Sequence, residues 1–300
     1  MGAVIPGESP PDGWKVLSLL ESTARFFTER GLDSPRLSAE LLLGRVLSLE
    51  RIGLYTNFDR PLDSRELSAY RELVRRRSGG EPLQYILGET GFMGLRFEVN
   101  KDVLIPRPET EQLVELVIAL EKDHPGALAN VLDIGTGSGN IALSIARYLP
   151  GCRVDALDVS PEALEVAGRN ALALGLGGGR VSFVQGDILD ESLALPHGPY
   201  DLVVSNPPYI SGKEFLTLQT EVREHEPAVA TTDRGDGLTF YRAIARRIPT
   251  LLAPGRWCVV EVAYDQHEMV AELFGAAGCL DVASSLDYQG IPRFVSARRP

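Results

Sequence analysis

Cysteine, histidine, methionine and tryptophan are scarce in this 300-residue chain, which holds three, four, three and two of them. Cys152, Cys258 and Cys279 are far apart, form no Cys-x-x-Cys pair and sit in apolar, strand-like stretches, which excludes a disulfide framework and points to core residues in a reducing compartment. His124, His197, His225 and His267 show no ligand spacing. His267-Glu268 is only half of a zinc-protease motif, so no metal is expected. No run approaches the roughly 18 uninterrupted apolar residues of a membrane span. The first residues, MGAVIPGESPPDG, are neither a charged-then-apolar leader nor an Arg-rich transit segment, and Pro6 stands where a myristoylation signal needs Ser or Thr. These absences, together with the lack of internal repeats and low-complexity tracts, describe a cytoplasmic globular protein without a membrane partner, expected as a monomer.

Charge is abundant but uneven. The formal net charge is -11, yet residues 1–85 hold 12 Lys+Arg and 12 Asp+Glu, so the remainder holds 18 against 29. An acidic C-terminal part repels a phosphate backbone over most of its surface, which points away from nucleic acid as a direct partner. The run Arg75-Arg76-Arg77 is the main local exception.

The apolar pattern divides the chain. From Trp14 to about Gly80, apolar residues recur at helical intervals, as in Val16, Leu19, Leu20, Ala24 and Phe27, with breaks at Gly31, Ser34-Pro35 and 57–63. Asp33 or Ser34 is placed to cap a helix carrying Leu37 to Val46, and Asp63 or Ser64 one carrying Leu67, Tyr70 and Val74. Residues 1–82 are therefore expected to form a small helical domain. Residues 83–106, rich in β-branched and aromatic side chains between glycines, read as a hairpin-like connector. Within 107–300 the pattern from Asn130 onward becomes strand, turn, helix, repeated, with two terminal strand candidates near Leu280–Ser284 and Arg293–Ala297. Such alternation predicts a doubly wound, mostly parallel α/β sheet with helices on both faces.

The first strand of that series runs into Asp133-Ile134-Gly135-Thr136-Gly137-Ser138-Gly139 and then into a helix. Glycines there let a ligand lie against the backbone. Asp158 closes the second strand 23 positions after Gly135, where a nucleotide site places the carboxylate that accepts ribose hydroxyls. The third Gly comes one residue early for the dinucleotide fingerprint G-x-G-x-x-G, which favours a ligand without pyrophosphate, such as S-adenosylmethionine. Asp187 and Ile188 close the third strand. Asp187 is either an acceptor for the adenine amino group or a cap, and Ile188 is a wall for the ring.

The apolar strand Tyr200-Asp201-Leu202-Val203-Val204-Ser205 leads into Asn206-Pro207-Pro208-Tyr209. Paired prolines have no amide hydrogen and stiffen the chain, leaving outward carbonyls. The Asn206 side-chain oxygen and the Pro207 carbonyl can then accept both hydrogens of one NH2 group, with Tyr209 as a wall against a planar substrate. Such a pair of acceptors orients a poorly nucleophilic nitrogen and favours the positive charge that develops on it. Asn206, Pro207 and Tyr209 are the expected catalytic residues, and Asn206 to Tyr209 the substrate-binding ones. The tetrapeptide alone equally suits adenine-N6 methylation of DNA or RNA.

Several further segments resemble the protein N5-glutamine methyltransferases of the HemK/PrmC type. They are Glu81 to Gly88, Ile105-Pro106-Arg107-Pro108-Glu109-Thr110-Glu111, Asn206 to Ile210, Glu226-Pro227, and Gly235-Asp236-Gly237-Leu238 with Tyr241. The resemblance spans nearly the whole chain, and the Pro-Arg-Pro-Glu segment separates it from adenine methyltransferases and from the ribosomal-protein relatives. It implies a class I methyltransferase domain with a helical domain that helps hold the substrate, class 1 peptide chain release factors. It also implies cofactor contacts at Gly135, Thr136, Gly137, Ser138, Gly139, Asp158, Ile188 and Asn206. Some members carry Trp where Ile188 stands, so adenine packing here is expected to be aliphatic. Arg107 and Glu109 are expected either to pair with each other and pin the connector or to touch ligand.

Overall fold

A computed structural model describes residues 13–300, and the chain divides into two units, one ending at Gly88 and one spanning Glu89–Pro300. The leader-free reading of the first 12 residues lies outside the described residues.

The first unit is helical, with helices at Val16–Glu29, Pro35–Leu47, Arg51–Thr56, Ser64–Ser78 and Leu83–Leu87. Their apolar faces meet in one core in which Leu19, Leu20, Phe27, Leu42, Leu43, Tyr70 and Val74 are fully buried. Asp63 caps its helix as expected, accepting from the Arg65 and Glu66 amides, while Glu66 reaches back to the Asp63 N–H. Ser34 occupies the other cap position in a left-handed conformation and makes no side-chain cap bond. The segment 83–87, strand-like in composition, is instead a single helical turn: Pro82 opens it, and Gly88 at φ 76° ends it.

The second unit begins with a hairpin of β1 (Glu89–Phe92) and β2 (Leu95–Glu98). A helix at Pro108–Asp123, which the alternation did not reveal, precedes β3 (Asn130–Ile134). Then follow β4 (Arg153–Asp158), β5 (Val181–Gln185), β6 (Tyr200–Ser205), β7 (Leu252–Glu261), β8 (Leu280–Leu286) and β9 (Pro292–Arg298). The sheet order is β5-β4-β3-β6-β7-β9-β8; β3 to β7 run parallel, and β9 runs antiparallel to both its neighbours. β7 starts five residues earlier than its Trp257 signal, and its pairing with β6 is irregular at Tyr200/Leu202.

Period two distributes the strand residues between two cores. Val131, Leu202, Val204 and Val259 face helices Pro108–Asp123, Asn140–Tyr148 and Pro161–Ala173; Leu132, Val203, Cys258 and Val260 face helices Thr239–Leu251 and His267–Ala276. Burial on both faces is why these strands read as nearly continuous apolar runs. All three cysteines are buried and free. Among the described residues no helix is long and apolar enough to cross a membrane.

Leu43 is fully buried in the helical unit. Leu43→Ala should lower the stability of that unit by about 2–5 kcal/mol, read as an earlier urea transition in its helical signal.

Candidate active site

Parallel pairing sets the site at the carboxyl ends of the central strands. Ile134 pairs with Leu157 on one side and Ser205 on the other, so the turns after β3, β4 and β6 emerge side by side. The Ser205 hydroxyl donates to the Ile134 carbonyl at 2.7 Å, tying the strand that enters the Gly loop to the strand that enters Asn206.

The Gly loop is held by its own amides. Gly135 and Thr136 N–H donate to the Leu157 carbonyl at 2.8 and 2.9 Å, Gly139 N–H to the Thr136 carbonyl at 2.8 Å, and Gly137 N–H to Asp158 Oδ2 at 2.8 Å. Asp133 Oδ2 fills the N-terminus of the following helix, accepting from Ala142 N–H at 3.1 Å and from the Thr136 hydroxyl at 2.7 Å. Complete burial pushes the Asp133 carboxyl up to about 7 against these two bonds. A pyrophosphate would need amides that are already committed and a helix end that already holds an acid. The loop therefore suits a ligand without phosphate, as its shortened Gly spacing suggests.

What the loop leaves open is space. Gly135 and Gly137 adopt φ values of 75° and 53°, and a Cβ at either would meet nothing within 4 Å. They border a cleft of about 960 Å³, counting its open mouth, which Thr136, Ser138, Asp158, Asp187, Ile188, Asn206, Pro207 and Pro208 also line. Most of the expected cofactor and substrate residues thus share one cavity. Gly139 and Tyr209 are the exceptions; Gly139 faces Leu143 and Ala167 instead. Asp158 accepts Gly137 N–H on one oxygen and Ser160 N–H on the other, and each oxygen keeps a lone pair for a hydroxyl. Burial holds its carboxyl above the ordinary range. Asp187 accepts from the Leu189 amide at 2.9 Å, so it shapes its own turn while lining the cleft. Ile188, 4% exposed, is an apolar wall.

Two expected roles change. Tyr209 does not line the cleft: it packs against the core beneath Tyr241, where burial, with the nearby Glu261 charge second, raises its phenol to about 12. Phe240 is the aromatic side chain in the cleft wall. Tyr209 serves through its backbone, its carbonyl accepting from Gln266 Nε2 at 2.9 Å. Arg107, in turn, does not pair with Glu109; it lines the cleft, where the other of its two expected roles would put it. Its Nη2 bonds both oxygens of the buried Glu226 at 2.7 and 2.8 Å, joining the segment before helix Pro108–Asp123 to the segment after Asn-Pro-Pro-Tyr.

The Asn206 amide has a partner that the sequence did not reveal. Its Nδ2 donates to Thr110 Oγ1 at 3.1 Å, and the Thr110 hydroxyl donates to Glu261 Oε2 at 2.7 Å. Pro108 at the first helical position, acidic residues at 109 and 111, and apolar residues at 113, 114 and 117 were the available signal that residue 110 sits in a helix.

Residues 18–88 match the family described as the PrmC N-terminal domain, and residues 131–225 a methyltransferase domain. A release factor glutamine methyltransferase of Chlorobaculum tepidum is 46% identical over 94% of this chain and 97% of its own. One of Geobacter sulfurreducens is 43% identical over 96% and 98%. This chain belongs to the release factor glutamine methyltransferases. A methyltransferase from Pyrococcus furiosus, 18% identical with a TM-score of 0.50 over 69% of this chain and 90% of its own, shares the fold. Enzymes of this family draw on S-adenosylmethionine. The cleft fits it, with Cβ-free space over the Gly loop, free lone pairs on Asp158 and an apolar wall at Ile188. Among the described residues no group of His, Cys, Asp and Glu is arranged to hold a metal.

The Gly235-Asp236-Gly237-Leu238 motif has a steric reason at Gly237. A Cβ there, at φ 84°, would lie 2.5 Å from both the Tyr209 carbonyl oxygen and Gln266 Nε2. Gly237→Ala should displace the 206–209 turn, lower methyl transfer at least about tenfold and destabilise the unit by about 1–3 kcal/mol. Initial rates and thermal melts check both.

Proposed function

We propose that the chain transfers a methyl group from S-adenosylmethionine to N5 of the glutamine in the Gly-Gly-Gln loop of class 1 peptide chain release factors. The observation that carries this reading is the Asn206 amide, whose nitrogen is committed to Thr110, so that its oxygen meets the cleft beside Pro207. When bound, the cofactor supplies an electrophilic methyl on a sulfonium whose departure leaves a neutral thioether. Gly135 to Ser138 would bear the cofactor, Asp158 would accept from its ribose hydroxyls, and Asp187 and Ile188 would enclose its adenine.

Asn206 Oδ1 and the Pro207 carbonyl accept the two hydrogens of the substrate NH2. A planar amide nitrogen shares its lone pair with its carbonyl, so holding both hydrogens fixes the direction from which that pair approaches the methyl carbon. The same acceptors face the charge that grows on nitrogen as the bond forms. No strong base is required, because the alkylated amide cation is acidic enough to lose its proton to solvent. Tyr209 holds this turn through Gln266, and Pro208 stiffens it.

The helical domain of 1–82 is assigned to grip the body of the release factor. The same acceptor pair suits an adenine amino group, but the acidic C-terminal part and the names borne by the relatives favour glutamine.

Asn206→Ala should lower turnover by about 100-fold or more while leaving the fold intact. The check is mass analysis of release-factor peptides after incubation with the cofactor. Absence of a methyl group on the Gly-Gly-Gln glutamine with the unaltered enzyme would defeat the proposal, and labelled methyl in an adenine-containing oligonucleotide would replace it.

A further inference from the structure

A side-chain amide can present either its oxygen or its NH2 to a cleft, and only the oxygen serves an acceptor role. Something must choose between these orientations, and the choice is visible behind Asn206. Thr110 is 1% exposed and Glu261 2% exposed, so neither bond of the chain Asn206–Thr110–Glu261 is exchanged freely with water. A hydroxyl has one hydrogen to give. An ionised carboxylate can only accept, so the Thr110 hydrogen goes to Glu261, and the Thr110 oxygen must then accept from the Asn206 NH2. The three residues come from the helix Pro108–Asp123, the end of β6 and the end of β7.

We propose that Glu261, acting through the Thr110 hydroxyl, is a positioning residue that fixes the Asn206 amide with its oxygen toward the substrate, and that protonation of Glu261 reverses the relay. A neutral carboxyl has a hydrogen to donate. If it gives that hydrogen to Thr110 Oγ1, Thr110 is released to turn its own hydrogen toward position 206, and the amide then swings its oxygen inward and its NH2 outward. The cleft then offers the substrate NH2 a donor where it needs an acceptor. This inference rests on the reading of Asn206 given above and adds to it a switch made of Thr110, which lines the cleft, and Glu261, which does not.

Burial, offset by a hydrogen bond and nearby charges, places that switch near neutrality. Burial pushes the Glu261 carboxyl up to about 7; the Thr110 bond and the Arg293 and Arg107 charges pull down, and Glu109 pushes up. Tyr209 and Tyr241 also face it and remain neutral, their phenols being raised by burial. As pH falls through this value, Glu261 gains its proton and turnover should fall.

The test is steady-state methylation of a purified release factor by the full-length enzyme. Thr110→Val removes the hydroxyl at equal volume and should lower kcat about tenfold or more, with KM for the release factor changed less than about threefold. Thr110→Ser restores a hydroxyl and should return kcat to within about threefold of the unaltered enzyme. Glu261→Gln has no proton to gain, so the acid-side decline of kcat between about pH 6 and 8 should disappear. A valine variant as fast as the unaltered enzyme, a serine variant as slow as the valine one, or an unchanged acid-side decline in Glu261→Gln would overturn the relay. Each of those outcomes presupposes that the unaltered enzyme methylates the glutamine. If it does not, the functional reading fails instead, and the two failures are told apart in the control reaction.

Discussion

A hydroxyl-to-carbonyl bond of 2.7 Å between Ser205 and Ile134 joins two strands at the point where both stop being strands. One then becomes the Gly loop and the other becomes Asn-Pro-Pro-Tyr. Because the strands are parallel and in register there, cofactor-side and substrate-side turns leave the sheet on the same edge, within reach of one cleft. Everything chemical in the molecule depends on that adjacency. A slip of one residue between β3 and β6 would turn the side chains of one of the two strands to the opposite face and break the register that brings the two turns together.

Around this junction the protein spends buried polar groups with care. Asp133 holds the helix after the Gly loop, Asn170 holds the loop from behind through the Ser138 carbonyl and anchors β2 through Glu98, and Glu261 holds Thr110. Each is buried and each is hydrogen-bonded. Buried carboxyls cost desolvation, visible in the raised values at Asp133 and Glu261, and what they secure is the direction of particular donors and acceptors. The Arg107–Glu226 pair does the same at the mouth of the cleft, linking segments 119 positions apart.

Much of this was legible in the residues. Strand, turn and helix alternate with clear apolar periods from Asn130 onward, and the Gly loop, Asp158 and the 206–209 turn stand at strand ends, so their meeting in one cleft follows from parallel topology. What escaped was of three kinds. Local signals misled where composition and structure disagree: Leu83–Leu87 carries Tyr85 and Ile86 yet is helical, and prolines at 106 and 108 disguised the helix that begins at Pro108. Partnerships across long sequence distances left no local signal. Thr110 and Glu261 lie 151 positions apart, and nothing in either neighbourhood names the other. Tyr209 escaped for a third reason: a tyrosine beside a reactive turn invites a stacking role, but its ring packs against the core that contains Tyr241, and Phe240 lines the cleft.

The absence of amide hydrogens on Pro207 and Pro208 also bears on when the proposed reaction ends. Two acceptors, Asn206 Oδ1 and the Pro207 carbonyl, await two hydrogens, and a nitrogen that has gained a methyl has one left. An acceptor stripped of both water and partner costs about 1–3 kcal/mol. On the proposed reading, the product is therefore held less firmly than the molecule it came from.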